Sequence, residues 1–435
     1  MNDHKAAVKS FLSRYGMDYE SMDMDKSCRT FIEEMEKGLE GQESSLKMLP
    51  TYITVDGDIP LGEPVIVMDA GGTNFRVAVI HFDRDKKPVV QDYRLYPMPG
   101  TQGEISKEEF FETMAGYIEP VLDRSKKIGF CFSYATEILP NKDGKLLQFS
   151  KEIKVKDLIG EIIGENLLRA VKNSGFDGDK KIVLLNDTVA TLLGGKAAYP
   201  DRVFDGYIGF ILGTGTNTCY IEENRNIKKA CDLVGKAGST VINMESGGYD
   251  KAPRGLIDKE FDETTLNPGV YTFEKMISGR YQGGLMLQII KRAAEDGLFS
   301  GRFCERVRDI EELSAREIND FLYYPYSDNK LSNCCFEDDD YLIVYHLIDS
   351  MMERAAKLVA VNLSSIILKT GKGKNPCKPV CIAAEGTTFY KSKLFKNKLD
   401  FYMKSYLNDE KHVYYEFVRA ENATLVGAAI AGLIN

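Results

Sequence analysis

Two glycine- and threonine-rich turns are the residues of this sequence best suited to chemistry. They read Gly71-Gly72-Thr73-Asn74 and Gly213-Thr214-Gly215-Thr216-Asn217, and each stands between two apolar runs of strand length. Glycine lets backbone N–H groups approach a phosphate chain, and threonine hydroxyls add donors. Arg76, just after the first turn, is a further phosphate candidate. One such turn is usually an ordinary hairpin turn, but two related turns favour a nucleotide held between them.

Neither turn belongs to the common nucleotide-binding loops. A P-loop reads G-x-x-x-x-G-K-[ST] and leads into a helix, as does the dinucleotide fingerprint, whereas a strand pattern follows each turn here. The repeated strand–turn–strand pattern indicates a diverged duplication, with two α/β halves that each open with a hairpin and face each other.

A carboxylate after a continuous apolar run is the candidate for acid–base chemistry. Residues 181–185 predict a buried strand, and Asn186-Asp187-Thr188 follow it directly before a predicted helix over residues 188–198. Ligands of open α/β folds bind at the carboxyl ends of strands, where Asp187 could accept the proton of an attacking hydroxyl group. A cap at the start of the helix is the structural alternative for the same side chain.

Other polar side chains are candidates for binding a ligand rich in hydroxyl groups. Such a ligand needs convergent carboxylates and amides, because unpaired polar groups in a buried site cost free energy. Spacing along the chain does not bring these candidates together, and each alone is better explained as a solvated surface group. They are Ser133, Ser150, Lys151, Asn217, Glu245 and Glu274.

The elements that must position these groups alternate between helix and strand. Apolar runs predict strands over residues 65–69, 75–80, 181–185, 208–212, 218–221 and 380–384. Helical spacing predicts helices over residues 31–39, 158–171, 188–198, 341–368 and from about residue 424 onward. A chain of 435 residues is too long for one ordinary core, so we expect two domains, packed across a cleft because no low-complexity linker separates them.

The composition of the chain argues against several classes of function. The net charge of -9 argues against nonspecific binding to nucleic acid or to anionic membranes, which needs clustered cations. The N-terminal residues lack the apolar core of a signal peptide, and no run approaches the length of a membrane span. Nine cysteines without a C-x-x-C pair indicate reduced thiols rather than a zinc site. We therefore expect a cytoplasmic protein.

Taken in order along the chain, these motifs resemble those of the eukaryotic-type hexokinases and glucokinases. The resemblance runs from about residue 35 to the end of the sequence, and the ordered set is far more specific than any one motif. The matching segments are residues 67–77 and 213–217 (the two phosphate motifs), 185–192 (the catalytic segment), 242–245 and 267–276 (the two sugar-binding glutamate segments), and 385–390 (the adenosine motif).

The resemblance implies a fold, a reaction and a domain division. The fold is the α/β, two-lobed, actin-like (ribonuclease H-like) sugar kinase fold with a central cleft. The reaction is transfer of the γ-phosphoryl group of Mg-ATP to the 6-hydroxyl of glucose or a related hexose, the first step of glycolysis. Residues 1–195 would form the N-terminal hexokinase domain and residues 196–435 the C-terminal one, with the last helix packed on the small lobe.

The resemblance also assigns roles to the candidate residues. Asp187 would be the general base, with Lys151 near the moving phosphoryl group. The hexose would be held by Ser133, Ser150, Lys151, Asn186, Asp187, Asn217, Glu245 and Glu274. The nucleotide would be held by Asp69, Gly71, Gly72, Thr73, Asn74, Arg76, Gly213, Thr214, Gly215, Gly386 and Thr387, with Asp69 positioning Mg²⁺ through water.

Several positions depart from the family pattern. Ala135 stands in place of proline, Ser150-Lys151-Glu152 in place of Thr-Lys-Gly, Val270-Tyr271 in place of a glutamine pair, and Glu385 in place of aspartate. The preferred hexose, the nucleotide and the choice between monomer and homodimer are therefore open. A sugar sensor without transfer activity and a kinase of a different sugar are alternatives, although a sensor would be free to lose Asp187. The bacterial repressor-like glucokinases share the fold, but their cysteine-rich zinc motif is absent.

Overall fold

A computed structural model describes residues 2–149, 153–176 and 178–435, with only the backbone of Asn2. Its helices are α1 (Asn2–Arg14), α2 (Met24–Glu40), α3 (Lys107–Ile118), α4 (Ile163–Asn173), α5 (Asp187–Ala198), α6 (Cys231–Val234), α7 (Leu256–Glu263), α8 (Thr272–Ile277), α9 (Gly279–Glu295), α10 (Gly301–Arg308), α11 (Ala315–Tyr323), α12 (Asp338–Thr370), α13 (Thr387–Lys391), α14 (Phe395–Met403) and α15 (Ala423–Ile434). Its strands are β1 (Leu49–Pro50), β2 (Val65–Gly71), β3 (Asn74–Phe82), β4 (Pro88–Pro97), β5 (Lys127–Phe132), β6 (Ala135–Ile138), β7 (Gly144–Gln148), β8 (Lys181–Leu185), β9 (Gly206–Leu212), β10 (Thr216–Glu223), β11 (Ser239–Asn243), β12 (Val380–Glu385) and β13 (Tyr415–Val418).

The sheet of the small lobe brings three candidate segments to one edge. Its strand order is β4-β3-β2-β5-β8, and β5 runs parallel to both β2 and β8. In this register Asp69 lies beside Cys131, and Cys131 lies beside Leu185. The carboxyl ends of parallel strands meet at the same edge, so Asp69, Ser133 and Asp187 emerge together there.

The sheet of the large lobe aligns the second glycine turn with the adenosine motif. Its strand order is β1-β11-β10-β9-β12-β13, and β9 and β10 form the antiparallel hairpin that carries the turn. Strand β12 runs parallel to β9, with Glu385 opposite Ile211. Gly386 therefore follows β12 beside Leu212, the last residue of β9 before Gly213.

Most elements predicted from the sequence are confirmed, and one helix boundary is wrong. Both hairpins, the buried strand β8 and the helices α5 and α12 occupy the predicted positions. The helix predicted from residue 158 begins only at Ile163, because Ile162 is extended and the Asp143 carboxylate accepts the N–H groups of Gly164 and Glu165. Leu158 is buried in the small-lobe core nonetheless, from a turn outside the helix. The apolar residue at position 158 therefore reflects burial and not helical structure.

The N-terminal helices lie on the large lobe. Helix α2 packs Phe31 and Met35 into the core that also receives Ala356 and Leu363 of the long helix α12. The chain then passes through residues 51–64 into the sheet of the small lobe. The predicted division between residues 195 and 196 stays a prediction. Among the described helices, none combines the length and the apolar composition that crossing a membrane requires.

The last helix, α15, packs against the small lobe with almost no space between backbones. A Cβ atom at Gly427 would stand 1.8 Å from the carbonyl oxygen of Ala190 in α5. A Cβ atom at Gly129 in β5 would stand 1.8 Å from the carbonyl oxygen of Ala428. Glycine at these two positions allows α15 to lie directly on both helix α5 and the central strand β5.

Gly427→Ala is expected to lower the free energy of unfolding by about 1–3 kcal/mol, the usual cost of overpacking a closed interface. Thermal unfolding followed by circular dichroism measures the change. Gly116→Ala in α3 is the matched control, because a Cβ atom there meets nothing within 4 Å, and the substitution should stabilise an exposed helix. Equal melting temperatures for Gly427→Ala and the unaltered protein would contradict the packing.

Candidate functional site

Asp187 is the first residue of α5 and is separated from β8 by Asn186 alone. The backbone N–H of Thr188 donates to Oδ1 of Asn186 and to Oδ1 of Asp187, each at 2.9 Å. The extended residue Asn186 is the N-cap of the helix. The role of helix cap, the structural alternative for Asp187, therefore belongs mainly to Asn186. The Asp187 carboxylate lies at the edge of the sheet beside the other candidate residues.

The protein raises the pKa of Asp187 to about 7, well above its ordinary value. Burial is the largest cause, the charges of Asp69 and Glu245 add to it, and the hydrogen bond from Thr188 opposes it. The start of a helix favours a negative charge, but that effect is small beside the loss of hydration. Burial and the same field from Asp69 and Asp187 also raise the pKa of the Cys131 thiol. The strand edge is thus a site where a carboxylate can exchange a proton near neutral pH.

The activity should follow the ionisation of Asp187. A general base works only when deprotonated, so kcat/KM is expected to fall as the pH drops through about 7. Initial rates between pH 5.5 and 8.5, at sugar concentrations far below KM, report the pKa of the free enzyme. A profile that is flat across this range would remove Asp187 from the role of base.

Asp69 lies near the end of β2 with its side chain 2 % exposed. Its Oδ2 accepts a hydrogen bond from Oγ1 of Thr424 at 2.8 Å and lies 3.3 Å from Nη2 of Arg76. Its Oδ1 lies 4.0 Å from the position of a Cβ atom at Gly71. One oxygen is thus held by the protein, and the other lies beside the first glycine turn.

The first glycine turn closes the hairpin between β2 and β3. Gly71 pairs with Asn74, and Gly72 has a φ of 59°, a left-handed conformation that suits glycine. Ser133 lies against this turn, because its Oγ is 3.0 Å from the Cβ position at Gly71. The hydroxyl of Tyr134 donates to the carbonyl oxygen of Gly72 at 3.0 Å. Thr73 and Asn74 are exposed at the tip, so their polar groups can reach a ligand.

The second glycine turn contacts the segment named as the adenosine motif. Gly386 has a φ of 116°, and a Cβ atom there would stand 2.1 Å from the carbonyl oxygen of Leu212. Only glycine fits that contact. The carbonyl oxygen of Gly213 accepts bonds from Oγ1 of Thr388 at 2.8 Å and from N–H of Gly279 at 2.9 Å. Thr214 and Thr387 remain exposed where the two segments meet.

Asn217 and Glu245 belong to one network of amides and carboxylates. Nδ2 of Asn217 lies 2.8 Å from Oδ1 of Asn243 and 3.4 Å from Oε1 of Glu245. Asn243 in turn donates to Oε1 of Glu245 at 2.8 Å. Nδ2 of Asn217 also lies 3.5 Å from Oγ1 of Thr188, which connects this network to the segment that carries Asp187.

Glu274 completes the polar surface next to the second turn. Its Oε2 accepts the N–H of Thr216 at 3.0 Å and would lie 2.7 Å from a Cβ atom at Gly215. Burial, followed by the charge of Glu245, raises its pKa. Burial and both glutamates also raise the pKa of the Tyr271 phenol. The two glutamates and the phenol therefore lie close enough for their charges to interact.

Two of these residues hold unusual backbone conformations. Glu245 has a φ of 56° and Tyr271 a φ of 54°, in the left-handed region that side chains other than glycine seldom adopt. Each such residue costs about 1–3 kcal/mol and persists where the surrounding structure imposes it. The backbone conformations of Glu245 and Tyr271 lower the stability of the fold, and we interpret them as positioning these residues for ligand binding.

The structure brings most of the candidate residues to the two sheet edges. Asp69, Arg76, Gly71 and Ser133 form the group on the small lobe, in contact with each other as described above. The hydrogen-bond network of Asn217 extends to Thr188, the residue after Asp187. The first and second glycine turns belong to different sheets. Ser150 and Lys151, predicted to bind the hexose, lie outside the described residues.

Four residues with site contacts were missed as site residues by sequence reasoning. Thr388 and Asn243 lie inside segments that carry the resemblance, so their positions were marked although their roles were not. Tyr271 was noted only as a departure from the family pattern. Thr424 carried no chemical signal beyond its place at the start of the last predicted helix.

Two protein-family models, each described as hexokinase, match residues 7–197 and 207–434. The chain belongs to the hexokinase family. Hexokinase-5 of Oryza sativa subsp. japonica is 30% identical, covering 92% of this chain and 84% of that protein. Hexokinase-3 of Homo sapiens is also 30% identical, but the alignment covers 82% of this chain and 39% of that protein. The solved hexokinase of Schistosoma mansoni, complexed with glucose, has a TM-score of 0.78 and 25% identity over 99% of both chains.

Membership of the hexokinase family fixes the fold and the class of reaction. The two lobes belong to the actin-like α/β fold expected from the sequence, and that prediction is confirmed. The protein is a sugar kinase, a phosphotransferase with a hydroxyl group as acceptor. The eukaryotic-type hexokinases are the correct comparison, as the ordered motifs predicted.

Proposed function

We propose that the protein transfers the γ-phosphoryl group of Mg-ATP to the 6-hydroxyl group of glucose or a closely related hexose, the first step of glycolysis. The observation that carries the proposal is the position of Asp187. Its carboxylate, with a pKa of about 7, lies beside a network of amides and carboxylates suited to sugar hydroxyl groups. The glucose complex of the Schistosoma mansoni hexokinase, a structural relative, supports the choice of hexose.

The residues around Asp187 hold and orient the acceptor. Asp187 accepts the proton of the 6-hydroxyl group as its oxygen attacks phosphorus, and Asn186 fixes the start of α5. The network of Asn217 and Glu245, with Glu274, accepts hydrogen bonds from the other hydroxyl groups. Ser133 borders the hexose on the small lobe. Ser150 and Lys151 are assigned to the hexose by the resemblance alone.

The residues at the two glycine turns fit Mg-ATP. Gly386 packs against the backbone of Leu212 with no space for a Cβ atom, which holds it next to Gly213 and the exposed Thr214 and Thr387. On the small lobe, Gly71 to Asn74 and Arg76 offer N–H groups and a guanidinium to the phosphates. Mg²⁺ would neutralise charge on the transferred group, and the buried Asp69 carboxylate would hold it through water.

A coupled assay of the purified protein with Mg-ATP and a panel of hexoses tests the proposal. Formation of glucose 6-phosphate is the expected result, and the rates with mannose, fructose and glucosamine give the order of preference. Turnover with another sugar alone would show that Tyr271 and its neighbours have rebuilt the pocket. A folded protein that binds a hexose without transfer would be a sensor, and the proposal would fall.

The other expectations from the sequence remain predictions. They are a cytoplasmic location, the absence of nucleic-acid and membrane partners, and a monomeric or homodimeric state. Sedimentation of the purified protein decides the last of these.

A further inference from the structure

Thr424 contacts the carboxylate proposed to position the metal. Its Oγ1 donates to Oδ2 of Asp69 at 2.8 Å, across the boundary between α15 and β2. Asp69 is 2 % exposed, so an oxygen without a partner there would be costly. The second partner of Oδ2 is Arg76 at 3.3 Å. Thr424 therefore makes the shorter contact of the two.

The hydroxyl of Thr424 does not serve its own helix. A threonine near the start of a helix often caps it, but the N-cap of α15 is Asn422, with a φ of 52° and no side-chain cap bond. Helix α15 thus begins without a side-chain cap. The free N–H groups at a helix start need acceptors, so the hydroxyl proton of Thr424 cannot satisfy them. It is donated to Asp69 instead, which points to a role at that carboxylate.

Helix α15 is a rigid base for this contact. Its Gly427 lies against Ala190 of α5, and its Ala428 lies against Gly129 of β5, at distances that leave no room for a Cβ atom. The same helix therefore packs on the element that begins with Asp187 and, through Thr424, contacts Asp69. The two carboxylates are fixed relative to each other through one helix.

We propose that Thr424 is a positioning residue for Asp69: its hydroxyl fixes Oδ2, so that Oδ1 faces the first glycine turn and the metal-bound phosphates. The inference rests on the proposed function. The orientation follows from the 4.0 Å between Oδ1 and the Cβ position at Gly71. Partners that orient a metal-binding carboxylate typically change metal affinity by about 10–100-fold when removed.

Thr424→Val tests the inference, because valine keeps the shape of threonine and removes the hydroxyl. The Mg²⁺ concentration for half-maximal turnover should rise about 10-fold, while the KM of the hexose stays unchanged. Binding of Mn²⁺ with a non-hydrolysable ATP analogue, measured by electron paramagnetic resonance, should weaken by a similar factor. Thr424→Ser should restore both values. If Thr424→Val does not fold, Thr424→Ala compared with Thr424→Ser gives the same test.

Thr240→Val is the matched control. Thr240 lies in β11, is 4% exposed, and its hydroxyl donates to Oδ1 of Asn224. This variant should leave the metal dependence unaltered. Unchanged Mg²⁺ and Mn²⁺ affinities in Thr424→Val would overturn the inference, as would a loss of turnover that serine does not rescue. If the unaltered protein binds Mn²⁺ and nucleotide but transfers no phosphate, only the proposed function is rejected. The Mn²⁺ affinities of the variants still test whether Thr424 positions Asp69. Failure to bind Mn²⁺ with nucleotide would reject both.

Discussion

Asp187→Asn is expected to lower kcat by about 10²–10⁴-fold, the usual contribution of a general base. Asparagine keeps the size of the side chain and an oxygen that can accept the N–H of Thr188, which lies 2.9 Å from Oδ1. The start of α5 should therefore keep its structure. Nucleotide affinity, measured by calorimetry, should stay close to that of the unaltered protein. The loss appears in steady-state turnover with saturating hexose and Mg-ATP.

The control for this prediction is Asp201→Asn, in the exposed turn after α5. It makes the same substitution at an exposed aspartate and should leave kcat unchanged. The pH profile adds a second criterion, because the residual activity of Asp187→Asn should lose the decline near pH 7. A variant that keeps more than about a tenth of kcat would remove Asp187 from the role of base.

Glu245→Ala is expected to raise the KM of the hexose by roughly 100-fold. A hydrogen bond to a charged group contributes about 1.5–3 kcal/mol, and the truncation also leaves neighbouring groups unpaired. The amides of Asn243 and Asn217 lie 2.8 Å and 3.4 Å from Oε1 of Glu245. The KM of Mg-ATP should change little, because Glu245 lies in the network for the acceptor.

Glu223→Ala, at the exposed end of β10, is the matched control and should not alter either KM. Initial rates over a wide range of hexose concentration separate KM from kcat. An unchanged KM for every hexose in Glu245→Ala would place Glu245 outside the sugar site. Its left-handed backbone would then need another explanation.

The parts of the fold that sequence predicts are those with a strong local signal. The apolar run at residues 181–185 forms β8, and Gly41, with a φ of 77°, ends α2. The start of α4 could not be predicted locally, because its first N–H groups bind Asp143, a residue distant in the chain. Apolar spacing records which residues are buried, and Leu158 is buried outside a helix.

Some contacts of the candidate site can likewise be predicted from the sequence, and others cannot. Asp69 and Asp187 each follow or end an apolar run, so the rule for strand ends predicts that they are neighbours. The contact of Glu274 with Gly215 could not be predicted from spacing, because it depends on how α8 meets the second hairpin. The contact of Thr424 with Asp69 joins residues that are 355 positions apart in the chain. Resemblance located the motifs, and only the packed structure connected them.

The packing of α15 also sets the order in which the protein can be completed during synthesis. The small-lobe sheet is formed by residues translated early, yet the core between β5 and α5 includes Leu425, Ala428 and Ile430. A nascent chain that lacks these residues leaves an apolar face of that lobe exposed until α15 has been translated. Contacts of such large sequence separation slow folding and prolong the exposure of aggregation-prone surface. The sheet of the small lobe therefore depends for its stability on a helix that is translated much later than its own strands.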